Sequence, residues 1–146
     1  MEQAGGFTLE LRVVLSVSPA RAFELLSDPV EIPRWWGPHG FSTPEIELDL
    51  RVGGGYRFTM QPPAGHPFHL RGEFTTIDLG SRLAYTFIWE EPDPDDSATL
   101  VALTLEPVEA GTEVLLLQGP FTTQARLDLH RDGWSDGFER LAALTR

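Results

Sequence analysis

The sequence contains no cysteine and no lysine. Without cysteine the chain has no disulfide, no thiol nucleophile and no cysteine ligand for zinc. All 11 basic residues are arginines, which also excludes a Schiff base on a lysine and the lysine of a Walker phosphate loop. The longest apolar runs, such as the four residues 114–117, are too short to cross a bilayer.

Positive charge is scarce as well, because 22 acidic residues outnumber the basic ones and give a formal net charge of −11. A protein that binds nucleic acid or an anionic membrane needs clustered cations. We therefore expect neither nucleic acid nor a membrane as a partner, and we attribute the acidity to solubility. The chain does not open with a basic and apolar leader, which predicts a cytoplasmic protein.

The pattern of apolar residues predicts one α+β domain over residues 1–146. Alternation over residues 7–17 predicts a strand, and Ser18 followed by Pro19 predicts the start of a short helix that ends near Ser27. A second short helical piece is expected between Pro29 and Trp36. Further strands are predicted over residues 46–50, 56–60, 68–79, 83–89, 98–106 and 113–118, with turn-rich connections between them.

From about Thr123 the apolar period becomes helical and predicts an amphipathic helix of roughly 20 residues. At about 100° per residue, one stripe of this helix collects Leu127, His130, Trp134, Gly137, Phe138, Leu141 and Thr145. Asp128, Asp132, Asp136, Glu139 and Arg140 fall on the opposite side. A helix of this length is expected to lie across a curved antiparallel sheet.

Residues 133–137 read GWSDG and match the G-x-S-x-G pattern of serine hydrolases. That motif requires a sharp turn from a strand into a helix. Here Ser135 lies inside the predicted helix, and His130 precedes it where the hydrolase order places the histidine later. We therefore do not assign Ser135 as a nucleophile.

The two glycines of this stretch are unexpected because each interior helical glycine costs about 1 kcal/mol relative to alanine. Gly133 lies at the edge of the apolar stripe, and we interpret it as a site of close packing between helix and sheet. Gly137 lies on the stripe beside Trp134. Its missing side chain either permits close packing or leaves space for a pocket, and the sequence leaves both interpretations open.

Four groups of residues together resemble one family over nearly the whole chain. They are SPARAFELLSDPVEIPRWWGP, DLRVGGGYRFTM, GEFTTIDLGSRLAYTFIW with TLVALTLEPVEAGTEVLLLQGPF, and HRDGWSDGFERLAAL. The chain resembles bacterial homologues of the activator of the heat-shock protein 90 ATPase, within the SRPBCC superfamily of START-like and birch-pollen-allergen-like proteins. The resemblance implies a helix-grip fold, in which six to seven strands wrap around the long C-terminal helix after two short helices.

The resemblance also implies an apolar cavity between this helix and the sheet, and hence a protein that binds a hydrophobic or aromatic small molecule. An enzyme on the same scaffold, such as a polyketide-cyclase-like protein, is the alternative, with His130 as its acid or base. A module that binds a chaperone is a third possibility. In the co-chaperone the homologous domain works beside a second domain, which we do not expect in this protein. Many relatives carry a histidine where this chain has Gln118.

The inward positions of the strands and helix give the candidate ligand-binding residues. These are Trp36, Phe41, Tyr56, Phe58, Met60, Tyr85, Phe87, Trp89, Val114, Leu116, Gln118, His130, Trp134, Gly137 and Phe138. No catalytic residue is assigned. His130 is the one catalytic candidate, and a purely structural, hydrogen-bonded histidine is the alternative. One ring of the Trp35–Trp36 pair is expected to cap the core. The other is expected either to wall the pocket or to stay partly exposed for a protein partner, and the sequence does not indicate which ring does which.

No metal or cofactor is predicted. The acidic segment 90–96 lacks the ligand spacing of a calcium loop. His66 and His69, taken as lying on one strand, point to opposite faces. The glycines at 53–55 precede a strand and predict a hairpin turn.

A homodimer is expected, since many small soluble proteins form one.

Overall fold

The computed structural model describes residues 6–146 and contains seven strands and two α-helices. The strands are β1 (Phe7–Leu15), β2 (Ser42–Leu48), β3 (Gly55–Gln61), β4 (Phe68–Asp78), β5 (Arg82–Trp89), β6 (Thr99–Val108) and β7 (Gly111–Phe121). The helices are α1 (Pro19–Ser27) and α2 (Gln124–Leu144), with a single 3₁₀ turn at Ile32–Arg34. The predicted second helical piece is this turn.

All seven strands form one antiparallel sheet in the order β1–β7–β6–β5–β4–β3–β2. The curved sheet and the long helix α2 make up a helix-grip α+β fold, which confirms the predicted fold class. The register places Met60 opposite Phe68 and Leu70 opposite Trp89. Apolar side chains from β3, β4 and β5 therefore gather at one end of the inner face of the sheet.

Both helices begin at the residues that the sequence indicates. The Ser18 hydroxyl accepts a hydrogen bond from the backbone N–H of Arg21 at 3.3 Å, and the Thr123 hydroxyl accepts one from Arg126 at 3.1 Å. These bonds satisfy backbone donors that have no partner inside a helix. Ser135 lies exposed in the middle of α2, so the GWSDG stretch forms no nucleophile turn.

The inward stripe of α2 is the one that periodicity predicts, with buried residues Leu127, His130, Trp134, Gly137, Phe138 and Leu141. Within residues 6–146, no helix is long and apolar enough to span a membrane.

The structure distinguishes the roles of the two glycines of α2. A Cβ at Gly137 would meet the carbonyl oxygen of Trp35 at 3.1 Å, closer than nearly all real Cβ contacts. A Cβ at Gly133 would meet Pro38 Cγ at 3.5 Å, an ordinary van der Waals distance. Close packing therefore occurs at Gly137, whereas Gly133 has room for a methyl group. The expectation of close packing at Gly133 is wrong because α2 faces the flexible rim of a proline ring there rather than backbone.

This difference predicts opposite effects for the same substitution at two positions of one helix. Gly133→Ala should raise the free energy of unfolding by about 1 kcal/mol, because alanine is the better helix former and its methyl group fits. Gly137→Ala should gain less or lose stability, because its methyl group presses on the Trp35 carbonyl oxygen. Urea unfolding followed by circular dichroism measures both. Equal stabilisation by the two changes would contradict the assignment.

Candidate functional site

A cleft of about 330 Å³ lies between α2, the inner face of the sheet and the segment that follows the 3₁₀ turn. Most of the side chains that line it are aromatic or apolar. Its lining residues are Trp35, Trp36, Gly37, Pro38, Phe41, Met60, Phe68, Phe87, Trp89, Glu91, Asp93, Asp96, Arg126, Leu129, His130, Gly133, Trp134 and Gly137. A volume of this size is at the lower end of the range for pockets that hold small organic ligands.

The cleft brings together part of the predicted set, namely Trp36, Phe41, Met60, Phe87, Trp89, His130, Trp134 and Gly137. The rest of the set is buried in the core and does not line the cleft: Tyr56, Phe58, Tyr85, Val114, Leu116, Gln118 and Phe138. Strand alternation identifies the inner face of the sheet. It does not indicate which part of that face the helix covers. Inward residues under the helix belong to the core, and those beyond its cover line the cleft.

His130 is held by hydrogen bonds on both ring nitrogens. The indole N–H of Trp89 donates to Nε2 of His130 at 3.1 Å, and the other nitrogen, Nδ1, lies 2.8 Å from the carbonyl oxygen of Arg126. Because an indole nitrogen only donates, Nε2 must be the acceptor and Nδ1 must carry the proton. Burial lowers the pKa of His130 and favours this neutral form.

A second polar chain passes through the core beneath the cleft. The indole N–H of Trp134 donates to the Gln118 side-chain oxygen at 2.7 Å, and the Gln118 amide nitrogen donates to the Thr99 hydroxyl at 2.9 Å. Gln118 is only 1% exposed. Its role is therefore to fix the orientation of Trp134, whose ring lines the cleft, and not to contact a ligand itself.

The two neighbouring tryptophans have different surroundings. Trp35 is 1% exposed, and its indole N–H donates to the carbonyl oxygen of Leu25 at 2.8 Å. Trp36 is 7% exposed and packs edge-on against Phe58 and Trp134, with ring centroids 5.0 and 5.1 Å away. Both residues line the cleft, and Trp35 is the more deeply buried of the two, with its indole N–H bonded inside the core. Neither ring forms an exposed apolar patch.

The indole N–H of Trp36 differs from those of the other three tryptophans. Trp35, Trp89 and Trp134 each donate to a protein acceptor. No acceptor for the Trp36 N–H is found among residues 6–146. Among the described residues, only Oγ1 of Thr43 is a fully buried side-chain polar atom without a partner, so the Trp36 N–H is an unused donor that solvent can reach.

Arg140 attaches the segment 35–37 to α2. Its guanidinium donates to the carbonyl oxygen of Trp35 at 2.9 Å, to that of Trp36 at 3.2 Å, and also to that of Gly37. A second nitrogen of the same group lies 2.9 Å from Nδ1 of His39. Helical periodicity places Arg140 on the polar side of α2. In the structure, its hydrogen bonds to residues 35–37 hold that segment, which forms one wall of the cleft.

The loop between β5 and β6 supplies the charged side of the cleft. Arg126 pairs with Asp93 at 2.6 Å, with Asp95 at 3.0 Å and with Asp96 at 3.2 Å. The Thr123 hydroxyl donates to Asp95 at 2.9 Å, and this bond together with Arg126 lowers the pKa of that carboxyl. The loop is therefore attached to the first turn of α2. We call Glu91, Asp93 and Asp96, which line the cleft, the acidic rim.

Ten cleft residues lie outside the predicted set: Trp35, Gly37, Pro38, Phe68, Glu91, Asp93, Asp96, Arg126, Leu129 and Gly133. Phe68 is predictable as a cleft residue, because it occupies an inward position on its strand. The acidic rim and Arg126 carry no local signal, since the contact between a loop and a helix more than 30 residues later depends on the fold.

One group of possible metal ligands occurs near the rim, where atoms of His69, Glu90 and Glu91 lie within 4.8 Å of one another. Arg57 already binds both carboxylate oxygens of Glu90 at 2.9 Å. Glu91 accepts from the backbone N–H of His69 and contacts its ring, each at 2.8 Å. These groups satisfy one another, and we assign no metal to them. His66 lies in the loop before β4, whereas His69 lies on that strand. The prediction that both histidines lie on one strand is therefore wrong.

Residues 16–146 match the family model described as Activator of Hsp90 ATPase homolog 1-like protein. A protein from Chromobacterium violaceum has a similar crystal structure, with 25% identity, a TM-score of 0.84 and coverage of 94% of this chain and 96% of the other. The AHSA1 protein from Silicibacter pomeroyi is similar with 26% identity, a TM-score of 0.82 and the same coverage. A protein from Arthrobacter aurescens shares the fold at 20% identity, with a TM-score of 0.81 and coverage of 99% and 89%. A comparison with curated proteins finds no match.

The environment of His130 predicts how stability depends on pH. The unfolded chain takes up a proton at the ordinary histidine pKa near 6.5, whereas burial lowers the pKa of His130 in the folded protein. The free energy of unfolding should therefore fall as the pH drops through about 6.5. In His130→Gln, which cannot titrate, this part of the pH dependence should disappear.

Urea unfolding of both proteins between about pH 7.5 and 5.5 measures the difference. Nitrogen chemical shifts of the imidazole ring provide the second readout, because they distinguish the tautomer protonated on Nδ1 from the other. The same pH dependence in the two proteins, or a ring protonated on Nε2, would refute the assignment.

Proposed function

This chain belongs to the family of activator of Hsp90 ATPase homolog 1-like proteins, and from that premise we propose that it binds a hydrophobic, aromatic small molecule in the cleft. The family alone supports no particular ligand, because one fold serves many functions. The observation that carries the proposal is the cleft itself. About 330 Å³ of space lies along the inner face of α2 and is lined mainly by aromatic rings.

Rigid aromatic walls favour a flat ligand. Trp36, Trp89 and Trp134 line the cleft, and hydrogen bonds orient the last two through His130 and Gln118. Aromatic side chains gain most from offset or edge-on contact with another ring. Because the walls are held in place before a ligand arrives, binding costs little ordering of side chains.

The Trp36 N–H supports the same proposal. This donor is not fully buried, so water can reach it, and a ligand that carries an oxygen or nitrogen acceptor would replace that water with a direct hydrogen bond. Pockets for small molecules characteristically combine apolar walls with a few such polar groups. A ligand consisting of one or two fused rings with an acceptor atom fits these features.

Gly133 provides a direct test, because it lines the cleft and has room for a side chain. We expect 1-naphthylmethanol to shift the indole N–H signals of Trp36 and Trp134 in a ¹H–¹⁵N NMR titration. Gly133→Leu fills the cleft and should weaken this binding by about tenfold or more, in line with the loss of aromatic burial. Gly133→Ala, with a single methyl group, should weaken it less.

Ser135→Leu is the matched control, because it adds the same side chain to an exposed position two residues further along α2. It should leave binding unchanged. Absence of any indole shift in the unaltered protein, with this probe and its charged analogues, would refute the proposal. Equal weakening by Gly133→Leu and Ser135→Leu would place the binding site elsewhere.

A further inference from the structure

Resting on the binding function proposed above, we propose that the cleft selects its ligand by charge. An aromatic organic cation, such as an arylmethylamine, should bind more tightly than a neutral or anionic compound of the same shape. The inference depends on the groups along the cleft and not on the net charge of the chain.

The charged groups that line the cleft are unbalanced. They comprise the three carboxylates of the acidic rim and one guanidinium, that of Arg126. Side-chain exposures of 51% for Glu91 and 66% for Asp93 leave these carboxylates within reach of a ligand at the cleft mouth. His130 adds no positive charge, since hydrogen bonds on both nitrogens hold it in the neutral form. The cleft therefore carries an excess of negative charge.

Arg126 does not offer a binding site for an anionic ligand. Its Nε atom pairs with Asp95, and its two terminal nitrogens pair with Asp93 and Asp96. Only 15% of its side chain is exposed. An anionic ligand would have to displace these carboxylates and then remain beside them, and both steps are unfavourable.

The walls of the cleft suit a cation for a separate reason. The face of a tryptophan ring attracts a cation through its quadrupole and is the most effective of the aromatic side chains. Trp36, Trp89 and Trp134 all line the cleft. A flat cation can thus place its rings against these walls while its ammonium group lies beside the carboxylates of the acidic rim.

Acidic side chains at a surface occur commonly without a ligand. Here they border a cleft of about 330 Å³ with mainly aromatic walls, and this cavity is the observation that marks the place as a ligand site. The indole N–H of Trp36 does not contribute to the preference for a cation, because an ammonium group has no acceptor to offer it.

Three naphthalenes that carry one small substituent, which is cationic, neutral or anionic at pH 7.5, test the inference: 1-naphthylmethylamine, 1-naphthylmethanol and 1-naphthoate. Isothermal titration calorimetry at pH 7.5 and low salt measures each affinity, and the indole N–H signals locate each site. We expect the amine to bind about tenfold more tightly than the carboxylate, with the alcohol between them. The preference should shrink in 0.5 M salt, because salt screens the rim charges.

Glu91→Gln removes one rim charge and retains an oxygen that can accept the His69 backbone N–H. It should weaken binding of the amine by about threefold and leave the alcohol unchanged. Glu109→Gln makes the same change at an exposed turn between β6 and β7, outside the cleft, and should affect neither compound.

The outcomes separate this inference from the proposed function. If the alcohol or carboxylate binds in the cleft as tightly as the amine, charge selection is refuted and ligand binding stands. If the preference for the amine is the same in Glu91→Gln and the unaltered protein, the rim is not its cause and the inference also fails. If none of the three compounds moves an indole signal, the proposed function fails together with the inference.

Discussion

The contact between α2 and the Trp35–Gly37 segment is the constraint on which the rest of the site depends. Glycine at position 137 permits this close approach, since a Cβ there would lie 3.1 Å from the Trp35 carbonyl oxygen. Arg140 completes it by donating to the three carbonyl oxygens of the segment. With its backbone held in this way, the segment places Trp36 edge-on to Trp134 and creates a wall for the cleft.

Much of the fold follows from local features of the sequence. Period-two alternation predicts the strands because successive side chains point to opposite faces. The caps Ser18 and Thr123 set where α1 and α2 begin, since their hydroxyls accept backbone N–H groups close by in the chain. The stripe of α2 is predictable for the same reason, as its positions depend only on helix geometry. The segment after Pro29 is harder, because the 3₁₀ turn there lacks enough residues to show a period.

The site is less predictable because its geometry depends on contacts between distant residues. Arg126 and Arg140 fall outside the apolar stripe and resemble solvated surface cations in the sequence. In the fold, one holds the loop after β5 and the other holds the segment after the 3₁₀ turn. The roles of Gly133 and Gly137 are likewise set by what lies opposite them, a proline ring and a backbone carbonyl. Helical periodicity gives the direction of a residue and not the identity of its neighbour.

The hydrogen bonds of His130 and Gln118 constrain what either residue can do in the cleft. A general acid or base must reach its substrate with a free nitrogen or oxygen. His130, the catalytic candidate, uses Nε2 to accept from Trp89 and Nδ1 to donate to the Arg126 carbonyl oxygen, so proton transfer to a substrate would first break one of these bonds. Gln118 is likewise occupied by Trp134 and Thr99. The Trp36 N–H is an indole group that does not exchange protons as an acid or base near neutral pH. The exposed carboxylates of the acidic rim, rather than His130, are therefore the ionisable groups of the cleft that can reach a ligand while the bonds of His130 stay in place.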